Sequence, residues 1–217
     1  MAPSGNAAGT GSGDSLTAGL ASNLDKLESY QFIESMPTSS SASPGASPSA
    51  GDPQFISGTV INRPVKSIYI NGRPAQFILI GDKAWRSMDS NTWTAGDPAD
   101  TFLTDLLPGH DYVTWFDAKS SYFKVVGAEP KNGIACVHYQ GDSSLASLYS
   151  GAAGSSAAFQ ADLWIAQNGS YPVSGVYGFT DTAGAQGGSW GFRFDVSHAN
   201  DPANVILAPA NVVAIPT

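Results

Sequence analysis

Between residues 158 and 196 apolar and polar positions alternate in three successive runs. Trp190, Phe192, Phe194 and Val196 alternate with Gly191, Arg193, Asp195 and Ser197. That is the period-two pattern of a strand with one apolar face. Phe159, Leu163 and Ile165 show one face of an earlier segment, which ends at Asn168-Gly169. Tyr171, Val173, Tyr177 and Phe179 show one face of the next, and a glycine-rich loop over 181–188 leads into the last. The pattern predicts three antiparallel strands in a meander. Strands with such a face must lay it against helices, a second sheet or a bound apolar molecule. Which of these covers the aromatic face is the functional question.

The rest of the chain supplies candidates. Leu16, Leu20, Leu24 and Leu27 follow a capping Asp14-Ser15 and predict an amphipathic helix of about 15–16 residues. Strands are predicted over 30–36, 55–62, 65–70, 75–80, 84–88 and 92–94, with turns at Asn71-Gly72, Gly81-Asp82-Lys83 and Asp89-Ser90-Asn91. Asp97-Pro98 begins a central helix whose buried side is Phe102, Leu103, Leu106 and Leu107, stopped by Pro108-Gly109. The stretch 110–118, with Tyr112, Val113, Trp115 and Phe116, leaves its conformation open. Strands at 121–129 and 134–140 flank Pro130 to Gly133. Gly141-Asp142 opens a short helix carrying Leu145, Leu148 and Tyr149, and residues 200–209 form an extended tail. Residues 1–14 read as a disordered tether and 15–217 as a single domain. Within it, 37–53, rich in Ser, Ala, Pro and Gly, is expected to be a mobile loop.

Composition narrows the possibilities. The 217 residues suffice for one domain with a substantial core. A net charge of -8 argues against nucleic acid, which demands a basic footprint. The single cysteine, Cys136, excludes an intrachain disulfide and is expected to sit in a strand as a small hydrophobe. No apolar run approaches the roughly 18 residues of a membrane span, and no signal-peptide pattern is present. The small, polar start reads as a tether following a processing site, with Met1 not native, or as a native disordered N-terminus.

Catalytic signatures are sought without success. His110, His138 and His198 stand in no HExxH motif, and neither a GxSxG elbow nor a phosphate-binding GxxxxGK[ST] loop occurs. Cys136 and His138 share a strand face, but two ligands do not close a metal site. Asp97, Asp100 and Asp105 read as caps and a solvated helix face. No catalytic residue, metal or cofactor is expected, and the chain is not expected to be an enzyme. A cleft gathering one of the histidines with a carboxylate would reopen that question. The five tryptophans fit either core filling or a lined apolar cavity.

The order of elements, together with two passages, carries a family resemblance. One passage is Phe77-Ile-Leu-Ile-Gly-Asp-Lys-Ala-Trp85 leading to Asn91-Thr-Trp93-Thr. The other is Asp162-Leu-Trp-Ile-Ala166, Tyr171-Pro172, Phe192-Arg-Phe-Asp-Val-Ser197 and Asn200-Asp-Pro202. Over roughly 15–209 the chain resembles the LolA-type lipoprotein-localisation superfamily, in particular LppX/LprG-like bacterial lipoproteins. The resemblance implies an α+β fold: a strongly curved antiparallel, unclosed half-barrel with helices plugging the concave face and leaving an apolar cavity. It further implies an extracytoplasmic lipoprotein carrying acyl chains or lipidated molecules. Such relatives are anchored through an N-terminal cysteine, absent here, which fits a chain that starts just after it. The expected partner is a lipid or acyl chain, with another envelope protein as an alternative. In that case the fold would serve as a sensor or interaction module without lipid transport. A monomer is expected, located at the cell surface or in the periplasm. No ligand contact transfers from the family. Alternation and helix stripes alone nominate Phe77, Leu79, Phe159, Leu163, Phe192 and Phe194 from the sheet, with Leu103 and Leu107 from the central helix.

Overall fold

The computed structural model describes residues 19–35, 55–72, 75–99, 107, 112–148, 157–181 and 190–213. The strands are β1 (Ser29–Ser35), β2 (Phe55–Ile61), β3 (Ser67–Asn71), β4 (Gln76–Ile80), β5 (Lys83–Ser87), β6 (Trp93–Gly96), β7 (Phe123–Lys131), β8 (Ile134–Gly141), β9 (Ala157–Ala166), β10 (Pro172–Asp181), β11 (Trp190–Ser197) and β12 (Val212–Val213). They form one unclosed sheet in the order β12-β6-β5-β4-β3-β2-β1-β11-β10-β9-β8-β7. Two meanders, β2 to β6 and β7 to β11, are thus joined through β1. It pairs with β2 on one side and β11 on the other, Glu34 lying opposite both Ile56 and Phe194.

The expected strands are present, with ends shifted by a residue or two. The wholly antiparallel expectation is corrected at one edge. Beyond β11 the tail returns to the far end of the sheet, and Val212 enters beside Trp93 as a parallel neighbour. The sheet is therefore mixed. A two-residue valine pair carries no directional signal, so only the tail's route could reveal this pairing.

Register sorts the side chains onto two faces. Tyr30, Phe32, Val60, Ile68, Ile70, Phe77, Leu163, Tyr177, Phe194 and Val196 share one, here termed the inner face. All ten are buried. Two helices pack there. In α1 (Leu20–Lys26), Leu20 and Leu24 are fully buried, as the leucine stripe requires; Leu16 lies outside the described residues. The open stretch after residue 110 resolves as α2 (Tyr112–Ala118), with Val113 and Phe116 buried. Asp117 of α2 accepts the Gly19 and Leu20 amides at 3.1 and 3.2 Å. A carboxylate from one helix thereby satisfies donors that the other's first turn leaves open. The central helix expected from Asp97, including Leu103, lies outside the described residues apart from 97–99 and Leu107. Asp97 does accept the Ala99 amide at 2.8 Å, as a capping residue would. The short helix is α3 (Ser143–Ser147), capped by Asp142, whose side chain accepts the Ser144 and Leu145 amides.

Two contacts show how local chemistry fixes the assembly. The rings of Phe116 and Phe194 lie over Gly175, where a Cβ would stand 2.4 Å from Phe194 and 2.8 Å from Phe116. Only glycine admits this approach. At the start of the tail, Asn200 adopts φ 57°. Its side chain accepts the Glu28 amide at 2.7 Å, and its own amide donates to Ser29 at the same distance. Buried Asn204 then donates to Ser29 Oγ at 2.9 Å and to the His198 carbonyl at 2.7 Å. The turn signal Asn200-Asp-Pro202 is therefore a clasp across the first strand.

The β5–β6 connection is organised by Asp89, which accepts the Thr92 and Asn91 amides at 2.7 and 2.9 Å. These two backbone donors hold its carboxyl down at about 2, against an ordinary 3.8.

Gly175→Ala should lower unfolding free energy by about 1–3 kcal/mol through overpacking. Gly127→Ala, where a Cβ would meet nothing within 4 Å, should stay within about 0.5 kcal/mol of wild type. Equal denaturant midpoints for the two variants would contradict the packing over Gly175. For Asp89 the folded-state pKa is depressed, so its contribution is fully present above the unfolded value and fades as pH falls through about 2. NMR should place its carboxyl midpoint there, and Asp89→Asn should remove that part of the acid dependence.

Candidate functional site

The aromatic inner face is covered, at its centre, by the protein's own helix. Phe116 of α2 stands 6.0 Å from Phe194 and 5.9 Å from Phe192, ring centre to ring centre, in edge-to-face geometry. Trp115 lies 3.9 Å from Tyr177, and Tyr112 stacks on Phe192 at 4.3 Å. Edge and offset contacts of this kind add to area burial. Phe159 continues the cluster toward Tyr177 and Phe179 at 5.7 and 5.1 Å. Phe194 and Leu163 are fully buried, so they are core here, while Phe159, Phe192 and Leu107 are partly buried against that core.

Phe77 and Leu79 lie elsewhere. They share the inner face but sit on β4, separated from β11 by β3, β2 and β1. The nominated sheet residues therefore have a common face without a common place. Tyr112, Trp115, Phe116 and Tyr177 complete the central cluster, and the alternation and helix stripes do not single them out. The helical spacing of Tyr112 and Phe116 was the available signal for α2.

A hollow opens at the β4–β6 end, with a volume of about 470 Å³. Phe77, Ala84, Arg86, Thr94 and Gly96 contribute to its lining, and Trp85 and Ala95, at the alternate register positions, contribute too. The space follows from side-chain size along the register. Ile70 faces Phe77 and Ile68 faces Leu79, whereas Ala84 faces Gly96. Where large side chains give way to a methyl group and a hydrogen, the inner face recedes. Met88 is exposed beside it, and Arg86 Nη2 contacts Met88 Sδ at 3.2 Å.

The outer face carries a polar cluster. His138 Nε2 is 2.8 Å from Asp162 Oδ1, and its Nδ1 is 3.2 Å from Glu129 Oε1. Asp162 is buried and also accepts from Gln140 and Gln160. The ring of His138 is stacked on Trp164 at 4.4 Å, and Lys131 Nζ sits 4.2 Å from the other ring's centre. This gathers a histidine with carboxylates, the combination that would reopen an enzymatic reading. Both ring nitrogens face carboxylates, however, and the ring face is covered by indole. The arrangement ties β7, β8 and β9 together. Its members share one register parity, which was the signal for it in the sequence. His198 similarly meets the Asp201 carboxylate, at 3.1 Å, within the tail turn. Among the described residues, no three of His, Cys, Asp and Glu could hold a metal ion together. Cys136 is buried beside Ile134 and Gln167, and burial pushes its thiol pKa up, away from the reactive thiolate. Among the described residues no helix is long and apolar enough to cross a membrane.

No family model matches the chain, and no curated protein sequence matches it. Solved structures do. The lipoprotein LppX of Mycobacterium tuberculosis is 18% identical, over 86% of this chain and 94% of that one, with a TM-score of 0.46. LprF from Mycobacterium bovis is 15% identical, over 88% and 93%, with a TM-score of 0.46. A LolA superfamily protein from Nitrosomonas europaea is 11% identical, over 82% and 90%, with a TM-score of 0.24.

Proposed function

We propose that the chain is an extracytoplasmic lipid-binding protein that holds an acyl chain against the inner face at the β4–β6 end. It acts as a carrier or binding module and not as an enzyme. The observation that supports this reading is the hollow beside Phe77, at the point where the inner-face side chains become small. Its volume of about 470 Å³ lies inside the usual range for small-molecule sites, roughly 300–1,000 Å³. Binding there needs no charge pair. Each methylene buried contributes about 0.8 kcal/mol, so a chain of modest length reaches useful affinity.

The central aromatics then have a supporting role. Phe192 and Phe194 fix α2 to the sheet, and Phe77 provides surface for the ligand. Membrane attachment through a lipid on an upstream cysteine, and a location at the cell surface or in the periplasm, belong to the same proposal.

Native mass spectrometry of gently purified protein, and displacement of a fluorescent acyl probe, test the reading. Bound lipid or saturable uptake is expected. Thr94→Trp, which fills the hollow, should weaken uptake at least tenfold while leaving the melting temperature within a few degrees, roughly the effect of a half-exposed substitution. A protein that takes up no acyl probe, or a Thr94→Trp variant that binds as wild type does, would refute the site.

A further inference from the structure

The hollow has a charged member that acyl burial leaves unused. Arg86 is on β5, opposite Phe77 on one side and Thr94 on the other, so its register position faces inward with theirs. It is exposed at the mouth, not sunk in the core. Its guanidinium contact among the described residues is the thioether of Met88 at 3.2 Å, and it takes part in no ion pair there. A thioether is a weak acceptor, and guanidinium offers five donors in a fixed fork. Such a group beside an apolar wall satisfies its donors best with a carboxylate or phosphate.

Two carboxylates line the same hollow and need accounting for. Asp89 is occupied by the Thr92 and Asn91 amides and by Ser87 Oγ at 3.2 Å. Asp97 accepts the Ala99 amide at 2.8 Å. Both serve their own turns, and neither pairs with Arg86. They set a limit on the ligand: one guanidinium beside two carboxylates admits a single anionic group, and an ammonium next to that group would face a carboxylate.

We infer that Arg86 binds the anionic oxygens of an amphiphile, a phosphate or carboxylate head whose acyl chain lies over Phe77 and Ala84. The inference rests on the acyl-binding reading and adds the chemical class of the ligand. The hollow thereby selects acidic or zwitterionic phospholipids, or fatty acids, over uncharged acylglycerols.

The experiment compares lipids of one chain length, displacing a fluorescent acyl probe from the full protein: diacylglycerol, phosphatidic acid and phosphatidylethanolamine, with inorganic phosphate as a chain-free competitor. Both phosphate-bearing lipids should bind roughly tenfold tighter than diacylglycerol, the effect of one charge-assisted contact. Arg86→Gln should erase that preference and Arg86→Lys retain part of it, with thermal melts showing that both variants fold. Equal affinity for diacylglycerol and phosphatidic acid in the wild type, or an undiminished preference in Arg86→Gln, would overturn the Arg86 site and leave the acyl reading standing. Displacement of phosphatidic acid by equimolar inorganic phosphate would overturn the amphiphile in favour of a free anion. Failure of every lipid to displace the probe would overturn the acyl reading itself.

Discussion

The fold depends on what lies over the centre of the inner face. A sheet whose β10 and β11 present Tyr177, Phe192 and Phe194 cannot leave them in water, because each large aromatic carries several kcal/mol of burial. The chain covers them with α2. Gly175 makes this possible by removing the side chain that would hold Phe116 and Phe194 apart. The Asp117 carboxylate then fastens α1 onto α2, so the leucine stripe docks as a consequence of the aromatic one.

One continuous apolar face is divided in two. At β10 and β11 the protein's own helix fills the space, and side chains such as Phe194 are unreachable. Toward β5 and β6 the side chains shrink to Ala84 and Gly96, and an arginine and a methionine take the mouth. The outer face has no comparable apolar surface between β7 and β9. Its buried Asp162 is satisfied by His138, Gln140 and Gln160, and His138 also meets Glu129 of β7, so polar contacts link three strands.

Much of this was legible in the residues. Alternation located the long strands because each has one face in the core, and a one-residue slip would have reversed every assignment. It also put all six nominated sheet residues on one face. What alternation cannot supply is position along that face. Phe77 and Phe194 look alike in the chain and sit at different ends of the sheet, because strand order depends on the β1 junction and not on local pattern. The hollow lacks a local signal for a related reason. In Ala84-Trp85-Arg86, pairing puts Ala84 and Arg86 on the side of Phe77, while Trp85, paired with Ile78 at the other register parity, still contributes to the lining. The parallel edge was illegible because Val212-Val213 is too short to state a direction.

The place of β1 has a consequence in time. Its neighbours are β2, almost adjacent in the chain, and β11, near the other end; Gln31 meets Ser197. A polypeptide emerging N-terminus first, from the ribosome or through an export channel, holds β1 with one edge bare until nearly the whole chain has followed. Each hairpin arm can zip up from local turns, whereas the junction waits on the most distant partners, the kind of contact that slows folding. Loss of the last strands would therefore cost more than an edge: it would leave two half-sheets with no seam between them.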